Sequence, residues 1–206
     1  MMHDFKDDID NYFFRLKSTI DKLSREELAA FMTLLLEALE KGTTVFIMGN
    51  GGSAATASHF ASDFNKGLSW QKASRFRFHC LNDNVPTITA YANDVGYEDI
   101  FVEQLRNLLR PGDIVIAISG SGNSTNVIKA VQWANANGGR TVSMTGYDGG
   151  ELRRLASSGV HVPIDDMQVT EDIHMVFDHL CYAILGRRLP AEAPLDSGRA
   201  GDVHRA

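Results

Sequence analysis

Two segments of this chain share one pattern: a short unbroken apolar run, a loop of glycine and serine, then a helix-forming stretch. The first is TVFIM from Thr44, broken by GNGGSA and followed by small residues from Ala55 to Phe64. The second is DIVIAIS from Asp113, broken by GSGNS and followed by NVIKAVQWANAN, which Gly138 and Gly139 close. A strand that is apolar at every position is covered on both faces, as happens in parallel sheets whose crossovers are helices. RTVSMT follows the second unit at once, and RFHCLN at 77–82 and GVHVPI at 159–164 read as two further buried strands. Short strands alternating with helices predict a three-layer αβα sandwich around a five-stranded parallel sheet with right-handed crossovers.

The rest of the chain supplies helices. Phe5, Ile9, Tyr12, Phe13, Leu16, Ile20 and Leu23 recur at helical spacing, and Ser24 followed by Glu27 reads as a capping box opening a second helix. Leu28, Phe31, Leu35 and Leu39 mark its apolar face and Gly42 its end, so a helical pair precedes the first strand. PTITAYAND reads as a helix or turn, YEDIFVEQLRNLL at 97–109 as an amphipathic helix stopped by Pro111, and two more helices are expected near 151–157 and over 169–186. LPAEAPLDSGRAGDVHRA shows no period and is rich in Pro, Gly, Ala and charge. Residues 1–188 are therefore expected to form one domain, helical pair included, and 189–206 a disordered tail.

A chain of 206 residues, 44% hydrophobic, can bury one substantial core. A formal charge of −6 with both signs interspersed offers no basic footprint for direct nucleic-acid binding and no polybasic membrane anchor. Two cysteines a hundred residues apart argue against a disulfide framework or a cysteine metal cluster, and the acidic start MMHDFKDDID is unlike a secretory signal. The expectation is a soluble, cytoplasmic protein without membrane partners.

Ligands of an open parallel sheet bind beyond the carboxyl ends of its strands, where both special loops fall. The stretch Ser119-Gly120-Ser121-Gly122-Asn123-Ser124-Thr125 removes bulk at two positions and offers four hydroxyls and an amide at a helix N-terminus, a fit for a phosphate monoester. No lysine follows the glycines, so it is not a nucleotide-hydrolase P-loop. Gly49-Asn50-Gly51-Gly52-Ser53-Ala54 can be forced into a dinucleotide fingerprint. No acidic residue ends the next strand at the usual distance, Asn82 and Asp83 lying about thirty residues on.

GNGGSAATASHFASDF, AYANDVGYEDIF, ISGSGNSTNVIKAV, MTGYDGGEL and EDIHMVFDH together, in this order over about residues 30–186, resemble the sugar isomerase (SIS) domain family, in its sedoheptulose 7-phosphate isomerase branch. The resemblance implies a five-stranded parallel α/β sandwich in a homotetramer, with N-terminal helices packed between subunits and shared active sites at their boundaries. It implies an aldose–ketose isomerase converting sedoheptulose 7-phosphate to D-glycero-D-manno-heptose 7-phosphate, the entry to ADP-heptose for lipopolysaccharide or other surface glycans. Several members hold a zinc ion. By the same resemblance, Asn50, Gly51 and Gly52 match a sugar-binding turn, and Ser53, Ser119, Gly120, Ser121 and Ser124 a phosphate cradle. Asn93 and Asp94 match a pair that approaches the substrate.

The family's His-x-x-x-Glu falls on His59 and Asp63, and its Gln-x-x-His-x-x-x-x-His on Glu171, His174 and His179, so Asp63 and Glu171 depart from the pattern. Isomerisation needs a base to move a proton between C1 and C2, an acid at the carbonyl oxygen, and stabilisation of an enediolate. The resemblance makes His179 the acid and Asp63 the base, but Asp is a methylene shorter than Glu, and Glu171 is the alternative base from the opposite wall. His59 and Asp63 share a helix face, Glu171 and His179 lie within about 80° of each other on theirs, and the sets are expected to converge on one pocket. His59, Asp63, Glu171 and His179 are also acceptable ligands for zinc or another divalent ion, one per subunit. His174 carries no motif role and reads as a core residue, and Tyr12-Phe13-Phe14 as interface core. Two other functions suit the same motifs: a non-catalytic SIS adaptor resembling those that bind the replication initiator DnaA, and a phosphosugar-binding regulator, although no DNA-binding module precedes the domain.

Overall fold

A computed structural model describes residues 4–189, and the expected tail beyond Leu189 lies outside the described residues. Five parallel strands, β1 (Val45–Gly49), β2 (Phe78–Cys80), β3 (Ile114–Ser119), β4 (Arg140–Thr145) and β5 (Ser158–His161), form one sheet in the order β2-β1-β3-β4-β5. Every residue of β1 and β3 is buried, as their unbroken apolar runs require. Alternate side chains feed opposite layers: Val45 and Ile47 join a core with Leu35, Phe60, Phe64 and Phe177, while Phe46 and Met48 pack with Phe101, Val127 and Leu152. β2 differs from the buried strand expected at 77–82. It is a three-residue strand that, among the described residues, pairs with β1 alone at the sheet edge, and its middle residue His79 is exposed.

The helices are α1 (Lys6–Lys22), α2 (Arg25–Lys41), α3 (Gly52–Ser62), α4 (Val85–Asp94), α5 (Val102–Leu108), α6 (Thr125–Ala136), α7 (Gly150–Leu155) and α8 (Met167–Arg188). Ser24 caps α2 by accepting from the Glu27 N–H at 3.1 Å, but the reciprocal half of the expected box is absent: the Glu27 carboxylate accepts instead from Arg153 and the His161 N–H. This ties α2 to β5. The helix expected at 97–109 is divided into a 3₁₀ turn at Tyr97–Asp99 and α5, because Asp99 is drawn inward to an ion pair with Lys129 of α6 at 2.5 Å. α1 lies on α8 through a Tyr12 hydroxyl that donates to Asp172 and an Arg15–Asp166 ion pair, while Phe5, Ile9, Phe13 and Phe14 stay exposed on its other face. Among the described residues, no helix is long and apolar enough to cross a membrane. Cys80 and Cys181 are buried free thiols whose pKa values burial raises to about 11 and about 12.

Candidate active site

The two glycine loops meet at the carboxyl ends of β1 and β3. After β1, Asn50 leads to Gly51, whose φ of 55° lies in the left-handed region and turns the chain into α3. The side chains of Asn50 and Asn126 exchange amide hydrogen bonds of 2.8 and 3.0 Å, and the Tyr97 hydroxyl donates to Asn50 at 2.9 Å. This amide bridge locks the first loop to the start of α6. Asn126 and Tyr97 were invisible as site residues in the sequence, since their partners lie 76 and 47 positions away. Asn82 bonds the N–H and C=O of Gly49 at 3.2 and 2.9 Å, so an amide occupies the end of β2 where a dinucleotide site would need a carboxylate.

The second loop is held just as tightly. Ser119 and Ser124 Oγ atoms lie 3.0 Å apart, Ser121 Oγ accepts from the Asn123 N–H, and Asn123 accepts from the Glu151 N–H. Gly122, at φ 68°, presses against the backbone of Gly149 and Gly150 so closely that no Cβ fits, and a Cβ at Gly120 would strike Met167. The serines thus stand on a fixed turn rather than a mobile one. Ser53 is buried at the start of α3, and Asn50, Tyr97, Glu98, Asn123, Ser124, Thr125 and Asn126 line a cleft of about 550 Å³. Asn93 and Asp94 are not in it: they bond each other at 2.7 Å on the exposed end of α4.

α3 and α8 pack side by side and place the titratable groups. Glu171 lies over Gly52, where a Cβ would collide with its carboxylate. Seven residues further along each helix, about 10.5 Å at 1.5 Å per residue, His59 meets Asp178 and His179. His59 Nε2 is 3.2 Å from His179 Nε2, 3.5 Å from Asp178 Oδ2 and 3.6 Å from Asp63 Oδ2. Asp63 opens a π-helical turn, Asp63–Gly67, in which the Leu68 N–H reaches back to the Asp63 carbonyl at 2.9 Å. His59 is 44% exposed and Asp63 26%, whereas the Asp178 side chain is fully buried.

The sequence leads one to expect Glu171 beside the other three; the structure seats its carboxylate over Gly52. Within one chain Glu171 stands at the loop end of the helices, and Asp178 takes its place beside His59, Asp63 and His179. The sequence offered no signal for Asp178, because it fills an unassigned position of the EDIHMVFDH stretch, directly before the histidine that drew attention. Burial, with the Asp63 charge added, raises its pKa from 3.8 to about 7, and neither oxygen has a hydrogen-bond partner among the described residues. His174 is core, as its lack of a motif role suggested: it is fully buried, and burial lowers its pKa to about 4.

One donor atom from each of His59, Asp63, Asp178 and His179 lies within 4.8 Å of all the others. Ligands around a tetrahedral zinc at about 2.0–2.1 Å are separated by about 3.3 Å, so this donor set fits a divalent metal.

An open parallel sheet, a hydroxyl-lined turn at a helix start and a histidine–carboxylate cluster on neighbouring helices define an α/β domain built to bind small phosphorylated ligands. Residues 10–146 match the SIS domain family. The phosphoheptose isomerase of Geotalea daltonii is 34% identical over 199 residues, covering 93% of this chain and 99% of that protein; that of Alteromonas mediterranea is 39% identical over 170 residues, covering 81% and 84%. The solved phosphoheptose isomerase of Francisella tularensis is 28% identical and superposes with a TM-score of 0.82, covering 90% of this chain and 100% of that one. The chain belongs to the SIS domain family, in its phosphoheptose isomerase branch.

Proposed function

We propose that this protein isomerises sedoheptulose 7-phosphate to D-glycero-D-manno-heptose 7-phosphate in the cytoplasm, supplying ADP-heptose for lipopolysaccharide or related glycans. The observation that carries this reading is the pairing of the fixed Ser119–Ser124 turn with a titratable cluster on α3 and α8. It is supported by extensive similarity to relatives named phosphoheptose isomerase.

Ser53, Ser119, Ser121 and Ser124 hold the phosphate, helped by the N-terminal amides of α6. Asn50, fixed by Asn126 and Tyr97, orients the sugar hydroxyls beside Gly51 and Gly52. A carboxylate, Asp63 or Glu171, moves the proton between C1 and C2, and His179 protonates the carbonyl oxygen. A divalent metal such as zinc, one per subunit, would be held by His59, Asp63 and His179 and would polarise the substrate carbonyl. The exposed apolar face of α1 supports a homotetramer, in which a second copy closes each site and brings Asn93 and Asp94 to the substrate.

Incubation with sedoheptulose 7-phosphate in D₂O, followed by NMR, tests the reaction: deuterium enters the product at C2 as aldose forms. No exchange and no aldose from a folded, assembled protein would reject the enzyme and favour the adaptor or regulator alternatives.

A further inference from the structure

We propose that the groove along the outer edge of β2 is a binding site for a small organic cation, an amidinium or guanidinium carried on an apolar body. The groove encloses about 670 Å³, within the range of about 300–1,000 Å³ typical of small-molecule sites. Ala61 lines it from α3, two residues from His59 and therefore about 160° around the helix from it, so the groove is separate from the acid–base cluster. At its floor stands Gln104 of α5, only 5% exposed. Both amide hydrogens of Gln104 are spent inward, on the carbonyls of Leu81 at 3.1 Å and Ile100 at 2.7 Å. Its Oε1 makes no hydrogen bond among the described residues, which leaves a near-buried acceptor in need of a donor from whatever fills the groove.

Asp83 adds the charge. Its Oδ1 accepts from the Ser58 hydroxyl at 2.5 Å, its Oδ2 is unspent, and it has no ion-pair partner among the described residues. No lysine or arginine lines the groove, and Cys80, whose pKa burial raises to about 11, contributes no thiolate. A carboxylate and an amide oxygen disfavour an anion. A further strand is disfavoured too, because the outward backbone of β2 is occupied. The Asn65 side chain donates to the Phe78 carbonyl at 2.8 Å and accepts from its N–H at 2.9 Å, while the Cys80 carbonyl accepts from the Asp83 N–H at 3.3 Å. An amidinium or guanidinium meets what remains. Its planar fork of N–H donors bonds a carboxylate and a carbonyl together, its apolar body rests on Pro86 and Leu108, and its charge is attracted to the Phe78 ring.

The site is tested without substrate, so its fate is separate from that of the isomerase reading. Full-length protein is titrated with benzamidine, and for comparison with benzamide, which has the same shape and no charge. Binding is read by calorimetry and ligand-observed NMR, the position by crystals grown with benzamidine, and folding by circular dichroism. Wild type is expected to bind one benzamidine per chain with a Kd of about 1 mM or below, its amidinium against Asp83 and Gln104. Benzamide is expected to bind at least about tenfold more weakly, the loss that follows when a charge-assisted hydrogen bond becomes a neutral one. Asp83→Asn keeps an acceptor for Ser58 and removes the charge, so it should weaken benzamidine at least about fivefold and leave benzamide unchanged. Gln104→Met keeps the side-chain length without Oε1 and should weaken both compounds; Asp83→Asn, at an exposed position, carries the test if Gln104→Met does not fold. No binding at about 10 mM benzamidine would overturn the proposal. Equal affinity for benzamide, an Asp83→Asn variant that binds like wild type, or benzamidine located only elsewhere would do the same. So would crystals of the assembled protein in which a side chain from a second copy fills the groove.

Discussion

His174 makes the stability of this fold depend on pH in a way that one substitution isolates. Its ring is fully buried beside Phe177, at 6.1 Å between ring centroids, and burial lowers its pKa from 6.5 to about 4, with His161 adding to the effect and the Thr145 backbone opposing it. The unfolded chain therefore binds a proton at this residue before the folded one does. The stability tied to the neutral ring is present above the unfolded value and is lost as pH falls from about 7 towards 4. Taking 6.5 and about 4 as the two pKa values, acidification from about pH 8 to pH 5 costs about 2 kcal/mol through this residue alone, rising to about 3 kcal/mol below both values. Asp178 acts in the opposite sense: its pKa is raised to about 7, so its contribution is present below 3.8 and is lost as pH rises through 7. The pH profile of wild type alone mixes the two. Subtracting His174→Leu, which is close in volume and cannot titrate, removes the Asp178 part from the comparison. Urea unfolding at fixed protein concentration, read by tryptophan fluorescence, should show the wild-type minus variant difference moving by about 2 kcal/mol against wild type between pH 8 and pH 5. Parallel profiles, with a difference constant to about 0.5 kcal/mol, would mean that His174 is solvated or partnered and would refute the argument.

Ser121→Ala and Ser124→Ala should each weaken sugar-phosphate binding by about 1–3 kcal/mol with the fold intact, measured as a rise in KM or in Kd by calorimetry. If Asp63 is the base, Asp63→Asn abolishes turnover while Glu171→Gln retains most of it, and the reverse holds if Glu171 is the base; full activity in both would dismiss either carboxylate. Gly52→Ala should lower kcat, because the new Cβ displaces the Glu171 carboxylate from its seat, and unchanged kinetics would show that Glu171 is free to move without consequence. Placing glutamate at both Phe13 and Phe14, which are 52% and 68% exposed, should convert a tetramer to smaller species in light scattering; a wild type that is monomeric at micromolar concentration would refute the interface.

The layer structure was legible in the sequence because it follows from local rules. Unbroken apolar runs such as TVFIM and IVIAIS have nowhere to go but the middle of a covered sheet, and glycines at 51 and 122 announce turns that require positive φ. The serine turn was legible for the same reason, since its residues are neighbours in the chain. What failed were features decided by residues far apart in sequence. Glu27 abandoned its half of the capping box for Arg153 and His161, and the sheet order placed β2 at an edge, where among the described residues it pairs with β1 alone. Asn126 and Tyr97 gained their roles only when folding brought them to Asn50.

The sequence by itself determined which helices carry the titratable groups; only the tertiary structure decided which of those groups meet. The offset along α3 and α8 is set by side-chain packing between them, and helical periodicity on either one says nothing about it. That packing seats Glu171 on Gly52 and brings Asp178 to His59, two helical turns away.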